Sequence, residues 1–349
     1  MENLLVIRFS ALGDVAMCVP VVDSLARQCP DLHITFLTRP FVQPLFAAMP
    51  ENVEFLGADI KGEYAGIGGL NRLAKELRAK GIDGVADLHD VLRTKFLRTR
   101  FALWGIPTAH IDKGRSERRA LVKHKISRPL ATSFDRYRHV FCALGFDVNI
   151  DFERIEPARL PNISAPFSDA ERLIGLAPFA AHEGKIYPLE RAERLANLLL
   201  EEGTADRLVV FGSASEMQQL RASWTALPAD RISYAPDLAH NLGEELALMS
   251  RLGAMISMDS ANMHLASLVG IPVVSIWGAT HPYAGFLGYG QHVENAVGLP
   301  LDCRPCSIYG ERACRYGDYR CLARIEPAEI AKTVRRALEK AEKSISSNT

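Results

Sequence analysis

The residues best suited to chemistry sit in three short segments, each at the seam between an apolar run and a helical pattern. The first is Arg8-Phe9-Ser10-Ala11-Leu12-Gly13-Asp14. Asp14 there has two readings. It is a plain cap on the helix that follows, the usual work of an Asp in that place. Alternatively it points into the crevice at a strand's carboxyl end and accepts a proton from a hydroxyl. The positive end of a helix suits its charge in either case. The second segment, Ala180-Ala181-His182-Glu183-Gly184-Lys185, delivers the Lys185 ammonium to the same kind of crevice, unless that side chain is merely exposed. The third is Met258-Asp259-Ser260-Ala261-Asn262-Met263-His264. Small polar residues open a helix whose free N–H groups suit a phosphate or diphosphate. Asp259 is a cap on the plainest reading, and His264, flanked by apolar residues, a hydrogen-bonded core histidine.

The elements that must position these segments follow from hydrophobic periodicity. Residues 4–9, 33–37 and 84–88 read as buried strands, with helices at 15–27 and 70–79. The pattern restarts with strands at 173–177, 207–211, 254–257 and 273–277, separated by helices at 189–201, 215–224, 243–251 and 262–268. Regular alternation of this kind predicts parallel sheets covered by helices on both faces. Three prolines within residues 157–168 mark a linker. The expected division is therefore 1–160 and 169–325, with a closing helix at 326–345.

The chain has 349 residues, 48% hydrophobic and 23% charged, which suits two globular domains and excludes a disordered or fibrous chain. No apolar run reaches the roughly 18 residues of a membrane span, and the first residues lack the pattern of a signal peptide. A cytoplasmic protein is expected. The 41 basic and 41 acidic residues cancel, yet residues 93–138 hold thirteen Lys and Arg against Asp112, Glu117 and Asp135. Such a stripe is either a solvated surface or a landing site for an anion. Without interleaved aromatics it does not read as a nucleic-acid surface. Nor does the chain carry a Walker A sequence, a G-x-G-x-x-G turn after its first strand, a G-x-S-x-G elbow or an Asp-x-Asp pair. A kinase, a Rossmann dehydrogenase and an α/β-hydrolase are all disfavoured.

Of seven cysteines, Cys303, Cys306, Cys314 and Cys321 lie together. In a reducing compartment they are either the four thiolate ligands of a structural zinc or structural cysteines without metal.

Taken together, Ser10-Ala11-Leu12-Gly13-Asp14 and the long stretch from Met258 through Gly270-Ile271-Pro272 to Gly278-Ala279-Thr280 resemble glycosyltransferase family 9, the bacterial lipopolysaccharide heptosyltransferases. The resemblance implies a GT-B fold, α/β in class, with two facing Rossmann-like domains and a C-terminal helix crossing back to the first. It implies an inverting, metal-independent transfer from a nucleotide-diphosphate sugar, typically ADP-heptose. Asp14 then becomes the general base, and Lys185 meets the donor diphosphate. Asp259 contacts the donor sugar, Ser260, Ala261 and His264 lie around the phosphates, and Glu216 reaches toward the ribose. The first domain becomes the acceptor side. Ser10 and the basic residues Arg93, Arg115, Arg118 and Arg119 are then expected to meet a phosphorylated or acidic glycolipid at the inner membrane face. Ala180, Ala181 and Ala261 depart from the family pattern, which often has hydroxyl residues at the first two positions and Gly at the third. A nucleotide-sugar epimerase of the same fold and a binding protein without catalysis remain the alternatives. Asp14→Asn separates the transferase from the binding protein, and donor turnover without any acceptor would mark the epimerase.

Overall fold

Runs of Leu, Val and Ile bounded by small or polar residues form the strands, as period and composition dictate. The computed structural model describes residues 1–164, 166–168 and 170–347. Residue 169, at which the second domain was expected to begin, lies outside the described residues. The chain divides into one unit of residues 1–114 and 131–153 and a second of residues 115–130 and 154–349.

The first unit carries β1 (Asn3–Ile7), α1 (Leu12–Ala16), α2 (Val19–Gln28), β2 (His33–Thr38), β3 (Val53–Gly57), α3 (Gly66–Ala79), β4 (Gly84–Asp87), α4 (Leu92–Leu103) and β5 (Thr108–His110). The strands are parallel in the order β3-β2-β1-β4-β5. Pro20 stands in the first turn of α2, where a missing N–H costs nothing, so the expected helix 15–27 is two helices. Leu5, Ile7, Phe9, Leu97 and Phe101 are among the side chains of the core between sheet and helices.

Next in the chain comes α5 (Arg115–Val122), which belongs to the second unit, and then α6 (Ser133–Cys142), which returns to the first. The second unit continues with β6 (Leu173–Ala177), α7 (Leu189–Glu201), β7 (Arg207–Val210), α8 (Ala214–Ser223), β8 (Ile232–Tyr234), α9 (Ala235–Leu238), α10 (Leu242–Met249), β9 (Ala254–Met258) and α11 (Ala261–Leu268). It ends with β10 (Val273–Ile276), β11 (Ala296–Val297), α12 (Arg320–Ala323) and α13 (Pro327–Ser347). Its parallel sheet runs β11-β10-β9-β6-β7-β8. Helix α13, the closing helix expected to return to the first domain, packs here on α7 and across β9, β10 and β11.

Both sheets are wound outward from their first strand in opposite directions. The strand order therefore reverses between β1 and β4 in one unit and between β6 and β9 in the other. Such reversals open a crevice at the carboxyl ends of the strands, where doubly wound sheets bind ligands.

Candidate active site

In the first unit, register sets the geometry. Ile7 pairs with Asp87, so Arg8 to Ser10 emerge beside Leu88 and His89 at the reversal point. The Ser10–Ala11 peptide is cis. Asp14 sits in the first turn of α1, and its Oδ2 accepts the Ala11 N–H at 3.1 Å. Asp14 thus caps the helix from its third position, reaching back to Ala11, which is itself the N-cap residue. The same oxygen lies 2.7 Å from Nη2 of Arg8, and the Asp14 side chain remains 29% exposed. Arg8 itself is buried and donates from Nε to the Ser10 carbonyl and from Nη1 to the Leu88 carbonyl. One guanidinium therefore ties the β1 and β4 loops together while fixing one carboxylate oxygen. No hydrogen bond or ion pair to the other oxygen, Oδ1, is formed among the described residues.

His89 completes this cluster. Its Nδ1 accepts the Phe9 N–H at 3.4 Å, and its Nε2 lies 3.4 Å from Ser10 Oγ. Burial, with the Arg8 and Lys113 charges behind it, pushes the imidazole down to about 3. A neutral ring that accepts at Nδ1 carries its proton on Nε2, so Ser10 accepts from His89 and keeps its own hydroxyl proton to donate. Beneath them, fully buried Asp87 accepts the backbone N–H groups of His89 and Asp90 and pairs with Arg98 of α4 at 2.9 Å.

In the second unit, Ala177 of β6 pairs with Ser257 of β9, which brings together the loops that follow. Lys185 ends a 3-10 turn after β6, and its Nζ lies 3.1 Å from Asp259 Oδ2, with the two side chains 14% and 6% exposed. Ser260 caps α11 through its backbone alone, its Oγ lying 3.2 Å from Ser257 Oγ. The first N–H groups of α11 are therefore not taken by the cap side chain, and they lie beside the Lys185–Asp259 pair with Ala261 and buried His264. Glu216 stands in the first turn of α8, after β7. Its Oε2 accepts from Ser213 N–H and Oγ, a reciprocal cap in which Oε1 takes no part. Ala180 is half-buried and Ala181 exposed in the loop before Lys185.

The cysteine-bearing segment buttresses this loop. Gly310, at φ +85°, packs so closely on Lys185 that a Cβ would lie 2.6 Å from its Cγ. Tyr319 OH donates to Glu183 at 2.9 Å. Arg304 donates to the carbonyls of Trp277, Gly278 and Thr280, and the Cys306 N–H donates to Ala279. Cys303, Cys306, Cys314 and Cys321 line one cavity of about 290 Å³. Of their two readings, zinc ligands or structural cysteines without metal, the placement of the side chains supports the second. Among the described residues no group of three or more His, Cys, Asp or Glu is placed to hold a metal ion. Burial pushes the Cys321 thiol up to about 11 and raises Cys306 as well, whereas Cys314, against its burial, is held low by backbone hydrogen bonds, so these three thiols do not share one ionisation state.

The basic stripe also comes apart. Arg93 is exposed on α4, while Arg115, Arg118 and Arg119 lie on α5 in the second unit. Arg118 is buried, over the Phe286 ring at 4.5 Å and 2.9 Å from Tyr309 OH. Arg136 is buried and donates to the Asp112 carbonyl, and Arg98 and Lys95 pair with Asp90. Arg115 and Arg119 remain exposed. Sequence reasoning missed Arg8, His89 and Arg304. Arg8 offered a signal, a lone cation closing an apolar run, which asks for a buried partner.

Two parallel, doubly wound sheets in this strand order make up the GT-B fold. The chain belongs to glycosyltransferase family 9 (heptosyltransferase), whose model matches residues 70–317. It is 24% identical over 300 residues to lipooligosaccharide heptosyltransferase 2 of Haemophilus influenzae, covering 80% of this chain and 84% of that one. The crystal structure of a family 9 glycosyltransferase from Veillonella parvula superimposes with a TM-score of 0.75 at 22% identity, covering 97% and 98% of the two chains. The structure of E. coli ADP-heptose LPS heptosyltransferase II gives 0.67 at 20% identity, covering 97% and 99%.

Proposed function

We propose that this protein transfers heptose from ADP-heptose to a lipopolysaccharide-core glycolipid, with inversion at the anomeric carbon, without a metal ion, and with Asp14 as general base. The observation that carries this reading is the Asp14 carboxylate, held at Oδ2 by Arg8 and the Ala11 N–H while remaining open to solvent. The likeness to proteins whose names specify heptose transfer supports the sugar, and the E. coli relative's name supports the nucleotide. The acceptor hydroxyl attacks the anomeric carbon from the face opposite the diphosphate and gives its proton to Asp14 Oδ1. The bond from that carbon to the diphosphate oxygen breaks, and ADP leaves with the bonding electrons. Lys185 and the first N–H groups of α11 meet the charge that grows on the diphosphate. Asp259 holds Lys185 until the donor arrives and then faces the sugar. Ser260, Ala261 and His264 surround the phosphates, and Glu216 Oε1 is the oxygen available to the ribose. With Ala180 and Ala181 in place of hydroxyl residues, Lys185 and backbone amides carry more of the phosphate contact. Ser10 donates to the acceptor on the other side. The enzyme works in the cytoplasm at the inner membrane face, where an anionic glycolipid acceptor is found.

The test is Asp14→Asn assayed with ADP-heptose and a core acceptor. Turnover is expected to fall about 10²–10⁴-fold while donor affinity stays within about twofold. Turnover retained in Asp14→Asn, or in a product of unchanged anomeric configuration, would overturn the mechanism. Undiminished turnover in excess chelator is the expected result for transfer without metal.

A further inference from the structure

We propose that the outward stripe of α4 docks this protein on the surface of an anionic lipid bilayer, a reading that rests on the membrane-borne acceptor proposed above. Helix α4 has apolar side chains on two faces. Thr94, Leu97 and Phe101 point inward, and the last two join the core of the first unit with Leu5, Ile7 and Phe9. Leu92, Phe96, Thr99 and Leu103 follow at spacings of four, three and four, which places them along a second stripe one above another. Leu92 is 87% exposed and Leu103 72%, with half-buried Phe96 on the same stripe between them, and it is apolar side chains in one contiguous line that mark an interaction surface. Helix α3 packs on α4 and runs parallel to it beside the sheet, so Ile67 in its first turn, 74% exposed, shares the rim of Leu92.

Charge decides what covers this stripe. The twelve residues of α4 include Arg93, Lys95, Arg98 and Arg100 and no Asp or Glu. Asp87 and Asp90 take up Arg98 and Lys95. Arg93 is exposed, and the Arg100 guanidinium stacks on Trp104 at 5.3 Å, just beyond the helix. An apolar stripe edged by Arg93 and Arg100, neither of them held among the described residues in an ion pair of the kind that takes up Lys95 and Arg98, matches the boundary between acyl chains and anionic head groups, where leucines enter the apolar zone and Arg side chains stay at the phosphates. A second copy fits poorly, because a two-fold contact through α4 sets its cations against their own kind. At this rim the docked helix also stands beside the loop carrying Asp14, since β4 and β1 are neighbours in the sheet.

Flotation with vesicles tests this on the whole chain. Vesicles of phosphatidylethanolamine with about one-third phosphatidylglycerol should carry the wild-type protein, and pure phosphatidylcholine vesicles much less. Leu92→Ser with Leu103→Ser should lower the bound fraction on anionic vesicles about tenfold. Melting temperature and turnover on a water-soluble, delipidated acceptor should stay unchanged, because neither leucine touches the core or the Asp14 cluster. Equal flotation of variant and wild type, no flotation of the wild type, or a dimer that the two substitutions split would each overturn the docking assignment. Turnover on the soluble acceptor is read separately, so its loss in the wild type would strike the transferase reading instead.

Discussion

The Arg8 side chain does more at the candidate site than any residue picked out from the sequence. Three of its contacts fix three things: the Ser10 carbonyl, the Leu88 carbonyl and Asp14 Oδ2. A guanidinium can do this because its donors form a rigid planar fork, which an ammonium lacks. Arg8→Met should therefore leave the donor site intact and let the Asp14 carboxylate swing. Turnover is expected to fall about 10–100-fold with the donor KM unchanged. Arg8→Lys should recover only part of the loss, since one ammonium cannot reach all three acceptors. A Met variant with full turnover would show that Asp14 is held by its cap alone. Asp14, Lys185 and Asp259 were legible as residues because each follows an apolar run and opens a helix or turn. Their partners were less so. The Arg8–Asp14 pair depends on how tightly residues 9–13 turn, and the Lys185–Asp259 pair on the β6–β9 register, neither of which local pattern encodes.

At the scale of elements, the segment after β11 changes its meaning. Residues 303–321 read in the sequence only as a structural cysteine cluster, yet they fold over the Lys185 loop and brace it. Gly310 is the tightest point, with a positive φ and no space for a methyl group beside Lys185. Gly310→Ala should cost about 1–2 kcal/mol from backbone conformation alone. It should also push the lysine stem aside and weaken donor binding about tenfold. Gly317 is the control: its φ is also positive, but nothing lies within 4 Å of a Cβ there. Gly317→Ala should lower the melting temperature without moving donor affinity, as calorimetry and donor titration on the two variants would show. Donor affinity falling equally in both would mean that the segment acts through stability rather than through Lys185. The central strands were legible because both their faces are buried, which leaves long apolar runs. The edge strands β3 and β8 were not, since they are half-buried and mixed in composition. Helices α4 and α5 were hidden by their arginines, which a charge count assigns to a solvated stripe while the folded chain buries Arg118 outright.

For the whole molecule, a formal charge of zero describes pH 7 with neutral histidines, and burial makes two of the ten histidines keep that neutrality far into acid. His89 in the first unit is pushed down to about 3 by burial and by the Arg8 and Lys113 charges. His281 in the second is pushed down to about 4 by burial and Arg304. An unfolded chain protonates a histidine near 6.5, so below that pH the unfolded state takes up protons that the folded state refuses. Stability is therefore complete above about 6.5 and is lost as the pH falls toward the folded values, at no more than about 1.4 kcal/mol per pH unit for the buried but not wholly enclosed His89. Carboxylates held low in the folded state, such as Glu54 and Asp90, add to the loss only around and below their ordinary range near 4. Between pH 6.5 and 5 the two histidines set the loss, opposed toward the acid end by Glu245, which burial holds above the usual carboxylate range so that the folded chain takes up its proton first. Melting temperatures of the wild type and of His89→Gln across that window separate the terms: the wild type should lose several degrees, and the variant, which has no imidazole there to protonate, distinctly fewer. Parallel curves would mean that His89 takes up its proton in the folded state. In that case Ser10 could not count on an Nε2–H from a neutral ring, and the donor role assigned to its hydroxyl would fall with it.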